Sequence, residues 1–326
     1  MRNTQRIYLI IKNFYVMETL TIEQQVKQIL VNNNLDFRIE KLPLVGLQNI
    51  ITVGNDGDLI NDISHVKSPY FGLYNTKSGN IINTVKEGYT ISQNDEIVEL
   101  VLRGMQGYGN LSVQKAGSLN DGRRVFIQLA IEGVAKVGDD TIKRYVTVID
   151  SNDGSSGLSI GIGDLTMSCQ NQFWKFYKRG NAKMRHTASL TQRIQEIPNL
   201  IELALNESMQ QIETYQKFAS VKISDMDTHK LVELINGVSK ASSVKDLSEA
   251  STRTINAMES LYEMIRVEMA QKGQNVWGLH SGVTRWTTHE KSAPRRENGR
   301  IESSMIGTNY RTNQQSFEYA SQLALV

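Results

Sequence analysis

The residues of this 326-residue chain best suited to chemistry are cations that stand beside aromatic rings. Between Leu165 and Gln195 the sequence contains six Lys or Arg residues and no Asp or Glu. The aromatic residues interleaved with these cations are Phe173, Trp174, Phe176 and Tyr177. Single-stranded nucleic acid offers phosphates to cations and base faces to rings, so the segment predicts a surface that binds it. The alternative is an ordinary helix with its rings in the core and its lysines on a solvated face.

Two pairs of neighbouring cations, Arg123-Arg124 and Lys143-Arg144, open two strands of a predicted hairpin. Neighbouring side chains on a strand point to opposite faces, so one member of each pair can reach a ligand. The pairs would lie together only if the strand register brought them to the same end of the hairpin. Charges that protect a sheet edge are the alternative interpretation. The predicted DNA-binding residues are Arg123, Arg124, Lys143, Arg144, Trp174, Lys175, Tyr177, Lys178, Arg179, Lys183 and Arg185.

Catalytic chemistry is not favoured by the residues that could carry it. A two-metal nuclease needs several carboxylates held close together, whereas most of the clustered acids here occupy predicted turns, where Asp favours local hydrogen bonds. These acids are Asp139, Asp140, Asp150, Asp153 and Asp164. Cys169 and His186 could form a nucleophile and a base, but no orienting motif surrounds them and Cys is commonly buried. We therefore expect no catalytic residue, no metal and no cofactor.

Composition restricts where a nucleic-acid surface could lie. The formal net charge is only +2, so any binding surface must be a local cluster of cations. The single cysteine, Cys169, excludes an intramolecular disulfide and fits a reducing compartment. No apolar run approaches the roughly 18 residues of a membrane span, and the Ile7–Ile11 run is too short for a signal-peptide core. We expect a cytoplasmic protein without a membrane span.

The elements that position these residues begin with a helix. Thr21 and Gln24 have the spacing of a capping box, and apolar residues at helical spacing follow to about Asn33. Three β-rich segments come next, over residues 36–40, 49–53 and 70–75, and then a helix over 93–103. Strands are predicted over 124–137, 141–150 and 158–165, followed by a helix over about 167–179 that would carry the basic and aromatic residues.

The last third of the chain has helical periodicity. One apolar stripe runs from Leu190 to Ile212, with Pro198 marking a start or a kink. Shorter stripes predict helices over 231–238 and 255–269, a polar and Arg-rich loop over 281–312, and a last helix over 313–325. The pattern predicts an α+β fold, with an antiparallel sheet in a β-β-β-α core followed by a helical C-terminal region. It also predicts two domains, an α+β nucleic-acid-binding domain over 1–187 and a helical region over 188–326.

The central run resembles a phage and plasmid family known as a domain of unknown function, DUF932. The marks that carry the resemblance are the turn Asn152–Gly154, the C-Q-N segment Cys169–Asn171 and the R-H-T segment Arg185–Thr187. The upstream segments YFGLYNTKSG and GYTISQNDEIVELV are similar to the family, and so is the downstream NVWGLHSGVTRWTTHE. The core also resembles single-strand annealing proteins of the Rad-fifty-two type. That resemblance implies a hairpin and a following helix that build a basic groove on an oligomeric ring.

These observations predict a phage-encoded protein of the bacterial cytoplasm that binds single-stranded DNA and promotes annealing without ATP. Annealing requires several protomers on one strand, so we expect a homo-oligomer, as a ring or a filament. The alternative is a non-enzymatic phage protein that binds a host or phage protein through its helical C-terminal half. A metal-dependent nuclease is the third and least favoured function.

Overall fold

The computed structural model describes residues 20–53, 56, 58–168, 170–176, 183–237, 251–295 and 299–325. Its first helix, α1, spans Ile22–Asn32 and confirms the predicted capping box. The hydroxyl of Thr21 accepts the N–H of Gln24 at 3.3 Å, and the Gln24 side chain accepts the N–H of Thr21 at 2.9 Å. Both contacts satisfy backbone donors that a helix start otherwise leaves unpaired.

A three-stranded antiparallel sheet follows, in the order β1-β2-β3. Its strands are β1 (Ile39–Val53), β2 (Leu59–Asn75) and β3 (Ile81–Lys86). The predicted strands over 49–53 and 70–75 are confirmed, although β1 is continuous from Ile39 and much longer than expected. Helix α2 (Asn94–Met105) confirms the helix predicted over 93–103. Its buried face shares one hydrophobic core with α1, β2 and β3.

The second sheet is antiparallel, in the order β4-β5-β6-β7-β8, with β9 paired to β7. Its strands are β4 (Leu111–Leu119), β5 (Arg124–Val137), β6 (Asp140–Ser151), β7 (Leu158–Thr166), β8 (Gln172–Phe176) and β9 (Lys183–Met184). The three predicted central strands correspond to β5, β6 and β7 and are confirmed.

The helix predicted over about 167–179 is wrong wherever the structure describes that segment. Gln172–Phe176 is a strand that pairs with the stretch from Gly161 to Leu165 of β7. The glycines of β7 explain the difference, because a Cβ on Gly163 would lie 2.5 Å from the Trp174 ring. The glycines that weaken β7 by propensity thus make room for the bulky aromatic residues of β8.

The helical region begins with α3 (Leu190–Arg193) and a 3₁₀ turn (Ile194–Glu196). Helix α4 (Ile197–Ser220) has Pro198 in its first turn, where a missing N–H costs no hydrogen bond. Helices α5 (Asp225–Asn236) and α6 (Thr252–Lys272) confirm the predicted shorter helices.

The loop predicted over 281–312 is wrong over most of its length. That region contains the second half of α7 (Val276–Arg285), a π-helical turn (Trp286–Glu290), α8 (Gly299–Met305) and the start of α9 (Thr308–Ala324). Many of its polar residues are buried, and several of them pair with one another or with the residues that follow. The Thr287 hydroxyl donates to Asn313 at 2.7 Å, and the Asn309 amide donates to the Thr287 carbonyl at 2.8 Å. Polarity here reflects an internal hydrogen-bond network rather than exposure.

The fold class is confirmed: antiparallel sheets are followed by a helical C-terminal region. Helices pack directly on the second sheet, and one aromatic cluster joins Phe173 of β8 to Tyr215, Trp277 and Phe317. The proposed division near residue 187 stays a prediction. No helix among the described ranges is both long enough and apolar enough to cross a membrane.

Candidate nucleic-acid interface

The turn between β6 and β7, Asn152–Gly157, is the point where the sheet gathers several cations. Gly154 adopts a φ of +75°, a left-handed conformation that favours glycine. The Asp153 carboxylate accepts the N–H of Ser155 at 3.0 Å, which closes the turn locally. The backbone of Arg123 lies beside this turn, because the Arg123 carbonyl accepts the N–H of Asn152 at 2.7 Å. The predicted turn signal is therefore the centre of the candidate site.

Three cations around this turn are exposed: Arg123, Lys183 and Arg185. Lys183 pairs in register with Ser159 at the start of β7. The Arg185 backbone lies against Gly157, since a Cβ on that glycine would be 3.3 Å from the Arg185 Cα. Within the described ranges none of these three side chains has an ion-pair partner. We call Arg123, Lys183 and Arg185, with the turn they flank, the cationic turn.

Arg124 lies next to the cationic turn but does not present a free charge. Its guanidinium is buried and forms ion pairs with Glu302 of α8 and, at 3.0 Å, with Asp153. It also donates to the Ser155 hydroxyl at 2.8 Å. Removing either carboxylate would leave a buried charge incompletely paired. Arg124 therefore joins the sheet to the C-terminal helices rather than offering a cation to a phosphate.

A cleft of ≈ 460 Å³ opens beside the cationic turn, between the sheet and helices α8 and α9. Lys183 lines the cleft on the sheet side, together with Ser155 and Ser156. Arg311 and Tyr310 line it on the helix side. Arg311 is exposed and adds a fourth cation. The sequence analysis placed it in a polar and Arg-rich loop and did not assign that loop to the binding surface.

The second predicted pair of cations lies at the opposite end of the sheet. In the β5–β6 register Arg124 is opposite Ser151, whereas Arg144 is opposite Ile131. Arg144 precedes Ser151 by seven residues, which corresponds to roughly 23 Å at the rise of a β-strand. The register therefore does not bring Arg123-Arg124 and Lys143-Arg144 to one hairpin end. Lys143 is exposed, and Arg144 is half-buried opposite Asp164 of β7.

The aromatic part of the predicted surface is mostly internal. Trp174 is only 8% exposed, so its ring is not available for base stacking in this conformation. Lys175 is half-buried, with its Nζ 3.9 Å from a Glu207 carboxylate oxygen and 5.5 Å from the centre of the Phe317 ring. The other members of that predicted set, Tyr177, Lys178 and Arg179, lie outside the described residues.

His186, in the R-H-T segment, is a buried structural residue. Its Nδ1 lies 2.9 Å from the Thr90 carbonyl oxygen and its Nε2 lies 3.0 Å from an Asp150 carboxylate oxygen. Both partners are acceptors, so this geometry favours the imidazolium, in which both ring nitrogens are donors. Burial alone would lower the pKa of His186, but the hydrogen bond and charge of Asp150 raise it above its usual value. Ser92 donates to the same carboxylate at 2.6 Å, and the Tyr89 ring stacks on the imidazole at 4.7 Å.

The C-Q-N segment joins the sheet to helix α7. The Asn171 amide donates to the Ser281 carbonyl at 3.2 Å. Asn171 does not cap a helix, because the segment that follows it is the strand β8. Cys169 lies outside the described residues, so its expected burial stays a prediction.

The clustered carboxylates do not meet at one site, and Asp140, Asp150, Asp153 and Asp164 each have their own partners. Asp140 accepts the Trp277 indole N–H at 2.7 Å and pairs with Lys272 at 2.5 Å. Burial raises the pKa of Asp164 to about 6, although Gln211 and Tyr215 donate hydrogen bonds to it. In the part of the chain that the structure describes, no group of three or more His, Cys, Asp or Glu residues could hold a metal ion.

The fold and site define a mixed α+β protein with a cationic turn at one end of an antiparallel sheet. The chain belongs to the family described as Domain of unknown function (DUF932), which matches residues 81–320. The turn, C-Q-N and R-H-T segments all fall inside this match, so the resemblance drawn from them is confirmed. No curated protein and no solved structure matches the chain.

Proposed function

We propose that this protein binds the phosphate backbone of single-stranded DNA at the cationic turn and promotes strand annealing without ATP. The observation that carries the proposal is that three exposed cations without ion-pair partners in the described ranges converge on one turn. In the complex, DNA phosphates would pair with these cations, which have no carboxylate partner in the described ranges. Each phosphate neutralised releases condensed counterions. Arg311, across the cleft, extends the path of the backbone.

The second half of the proposal, annealing, rests on the sequence-based resemblance to annealing proteins of the Rad-fifty-two type, although strand β8 stands where that resemblance implies a helix. Such a protein holds a strand by its backbone and leaves the bases free to pair with a complement. A phosphate-binding turn suits that role. Two aromatic rings line the cleft, Phe176 and Tyr310, and of these Phe176 is buried and Tyr310 is partly exposed. We propose that the protein is phage-encoded, acts in the bacterial cytoplasm and works as a homo-oligomer, since annealing needs several protomers on one strand.

Fluorescence anisotropy with labelled single-stranded and duplex DNA, over a series of salt concentrations, tests the binding. The wild-type chain is expected to prefer the single strand and to lose affinity steeply with salt. Neutralising the cationic turn with Arg123→Gln, Lys183→Gln and Arg185→Gln removes three phosphate contacts. The slope of log K against log salt should then become shallower by about 2, at roughly 0.7 per contact for single strands.

The matched control neutralises three exposed lysines on helices that do not line the cleft: Lys27, Lys217 and Lys230. This variant loses the same net charge, so it should retain most of the wild-type slope. Equal losses in the two variants would mean that binding depends on overall charge and would contradict the proposed site. No binding by the wild-type chain at low salt would overturn the function and leave a protein partner of the helical region to be sought.

Annealing is measured separately, with complementary oligonucleotides carrying a fluorophore and a quencher and with no nucleotide added. The wild-type chain should accelerate quenching, and the cationic-turn variant should not. If the protein binds DNA but does not accelerate quenching, the binding site is supported and the annealing activity is refuted.

A further inference from the structure

The hairpin of β1 and β2 extends well beyond the rest of its sheet. Strand β3 pairs with β2 only between Tyr70 and Tyr74, so residues 45–53 and 59–67 form a two-stranded ribbon, which we call the arm. Among the described side chains of the arm, only that of Ser64 is partly covered, and all others are exposed. A two-stranded ribbon in water is marginally stable by itself. We therefore expect a partner to cover the arm.

One face of the arm is apolar. Paired residues of antiparallel strands share a face, and the register places five exposed apolar residues on the same side. Their exposed fractions run from 54% to 75%, and they are Val45, Leu47, Ile51, Leu59 and Ile63. The other described residues of this face are Asn49, Asn61, His65 and Lys67, so it holds no carboxylate. A contiguous exposed apolar face of this kind marks an interaction surface.

Both strands of the arm have an open edge, because β3 covers β2 only between Tyr70 and Tyr74. The β2 edge carries the charged residues Asp62 and Lys67, so β1 is the less protected of the two. The sheet order β1-β2-β3 leaves one side of β1 without a strand neighbour. Natural edge strands are protected by charges, prolines or bulges. In β1 the only such features are at its start, up to the bulge between Pro43 and Val45, and the stretch from Leu44 to Val53 contains no charged residue. The edge thus remains competent to pair over most of its length.

We propose that β1 pairs with β1 of a second copy of this chain, antiparallel about a two-fold axis at Asn49. This register places Leu47 opposite Ile51 of the second copy and makes the apolar face continuous across a four-stranded sheet. When two identical strands pair about a two-fold axis, the residues of one strand face residues of the same strand in the second copy. Charged residues in such a strand can face like charges across the seam, and a charge-free strand avoids that repulsion. A partner of different sequence could offer opposite charges, so pairing with it would not require β1 to be free of charge.

The oligomeric state of the full chain, measured by size-exclusion chromatography with light scattering and without nucleic acid, tests the pairing. The wild-type chain should have an even number of copies. Leu47→Lys with Ile51→Lys places like charges opposite each other at the seam and should halve the particle mass. The control, Ser64→Lys with Val66→Lys, adds the same charge to the opposite face of β2 and should leave the mass unchanged. A monomeric wild-type chain, or a mass unaffected by the seam variant, would overturn the proposal.

Oxidative cross-linking tests the register, in a chain whose only natural cysteine is replaced by Cys169→Ser. Directly opposed residues of antiparallel strands have Cα atoms about 4.5–5.5 Å apart, which is within the range of a disulfide. Asn49→Cys should therefore form a covalent dimer. Val45→Cys is the control, because eight strand positions, or roughly 26 Å, would separate it from its own copy. Equal cross-linking of the two variants, or none from Asn49→Cys, would overturn pairing about Asn49.

Both measurements are made without DNA, so their outcome is independent of the proposed binding at the cationic turn. The arm also precedes the matched residues 81–320, so the pairing is proposed for this chain and not for its family.

Discussion

At the residue scale, His186 belongs to a group of side chains that resembles a catalytic motif but has a structural role. A serine, an aspartate and a histidine meet, but Ser92 donates to Asp150 rather than to the imidazole. The histidine has no free nitrogen with which to act as a base, because the Thr90 carbonyl occupies Nδ1. The arrangement holds the segment after β9 against the end of β6 and the residues before α2.

The pH dependence of stability follows from this pair. The folded-state pKa of His186 is raised by Asp150, so its contribution is fully present below the unfolded pKa of about 6.5. That contribution is lost as the pH rises through the higher folded pKa. We expect His186→Gln to lower the free energy of unfolding at pH 6 by about 3 kcal/mol, because it leaves the Asp150 charge buried without its partner.

Urea unfolding at several pH values between 5 and 9 measures this effect. The difference between wild type and His186→Gln should shrink as the pH rises. The matched control is His65→Gln, whose side chain is exposed on the arm and should not change the profile. A difference that stayed constant over the whole pH range would refute the imidazolium assignment.

At the element scale, the elements that the sequence predicts correctly are those with local determinants. The capping box of α1 lies within four residues, and β5, β6 and β7 are runs of β-branched residues bounded by turns. Strand β8 could not be predicted in this way. Its cluster of rings and lysines suits a helix surface as well as a strand, and the deciding feature is the space above Gly163 on another strand.

Gly163→Ala tests that explanation. The new Cβ would lie 2.5 Å and 2.6 Å from two atoms of the Trp174 ring, so either the ring or strand β8 must move. Overpacking of this kind costs about 1–3 kcal/mol of unfolding free energy. The control is Gly109→Ala, where a Cβ would meet no atom within 4 Å. Denaturant unfolding compares the free energies of unfolding of the two variants. Equal values would show that the missing side chain of Gly163 is not what allows β8 to pack there.

The candidate site was only partly predictable for the same reason. Arg123, Lys183 and Arg185 were identified by residue type, but their convergence on one turn depends on the pairing of β9 with β7. Arg124 has the same residue type as Arg123 and a different role, because its Nη1 pairs with Glu302 and its Nη2 pairs with Asp153. Contacts between residues more than a hundred positions apart leave no local pattern in a sequence.

At the scale of the whole molecule, buried charges join the sheet to the helical region. Asp140 at the start of β6 pairs with Lys272 at the end of α6, and Lys272 also lies 3.3 Å from Glu268. Glu268 in turn pairs with Arg285 at 2.9 Å. The contact between Asp140 and Lys272 crosses the division near residue 187 that the sequence suggested, and the other two extend the network within the helical region. Buried charge networks of this kind couple the elements that they join.

Asp140→Asn tests whether the two regions unfold as one unit. The substitution keeps the shape of the side chain but leaves Lys272 short of one negative partner, so we expect a loss of about 2 kcal/mol, as for a hydrogen bond to a charged group. Native-state hydrogen exchange, read separately for amides of β6 and of α4, reports the opening free energy of each region. In a single cooperative unit the most protected amides of both regions lose the same free energy. A loss confined to β6, with α4 unchanged, would instead establish two independently folding domains and confirm the boundary near residue 187.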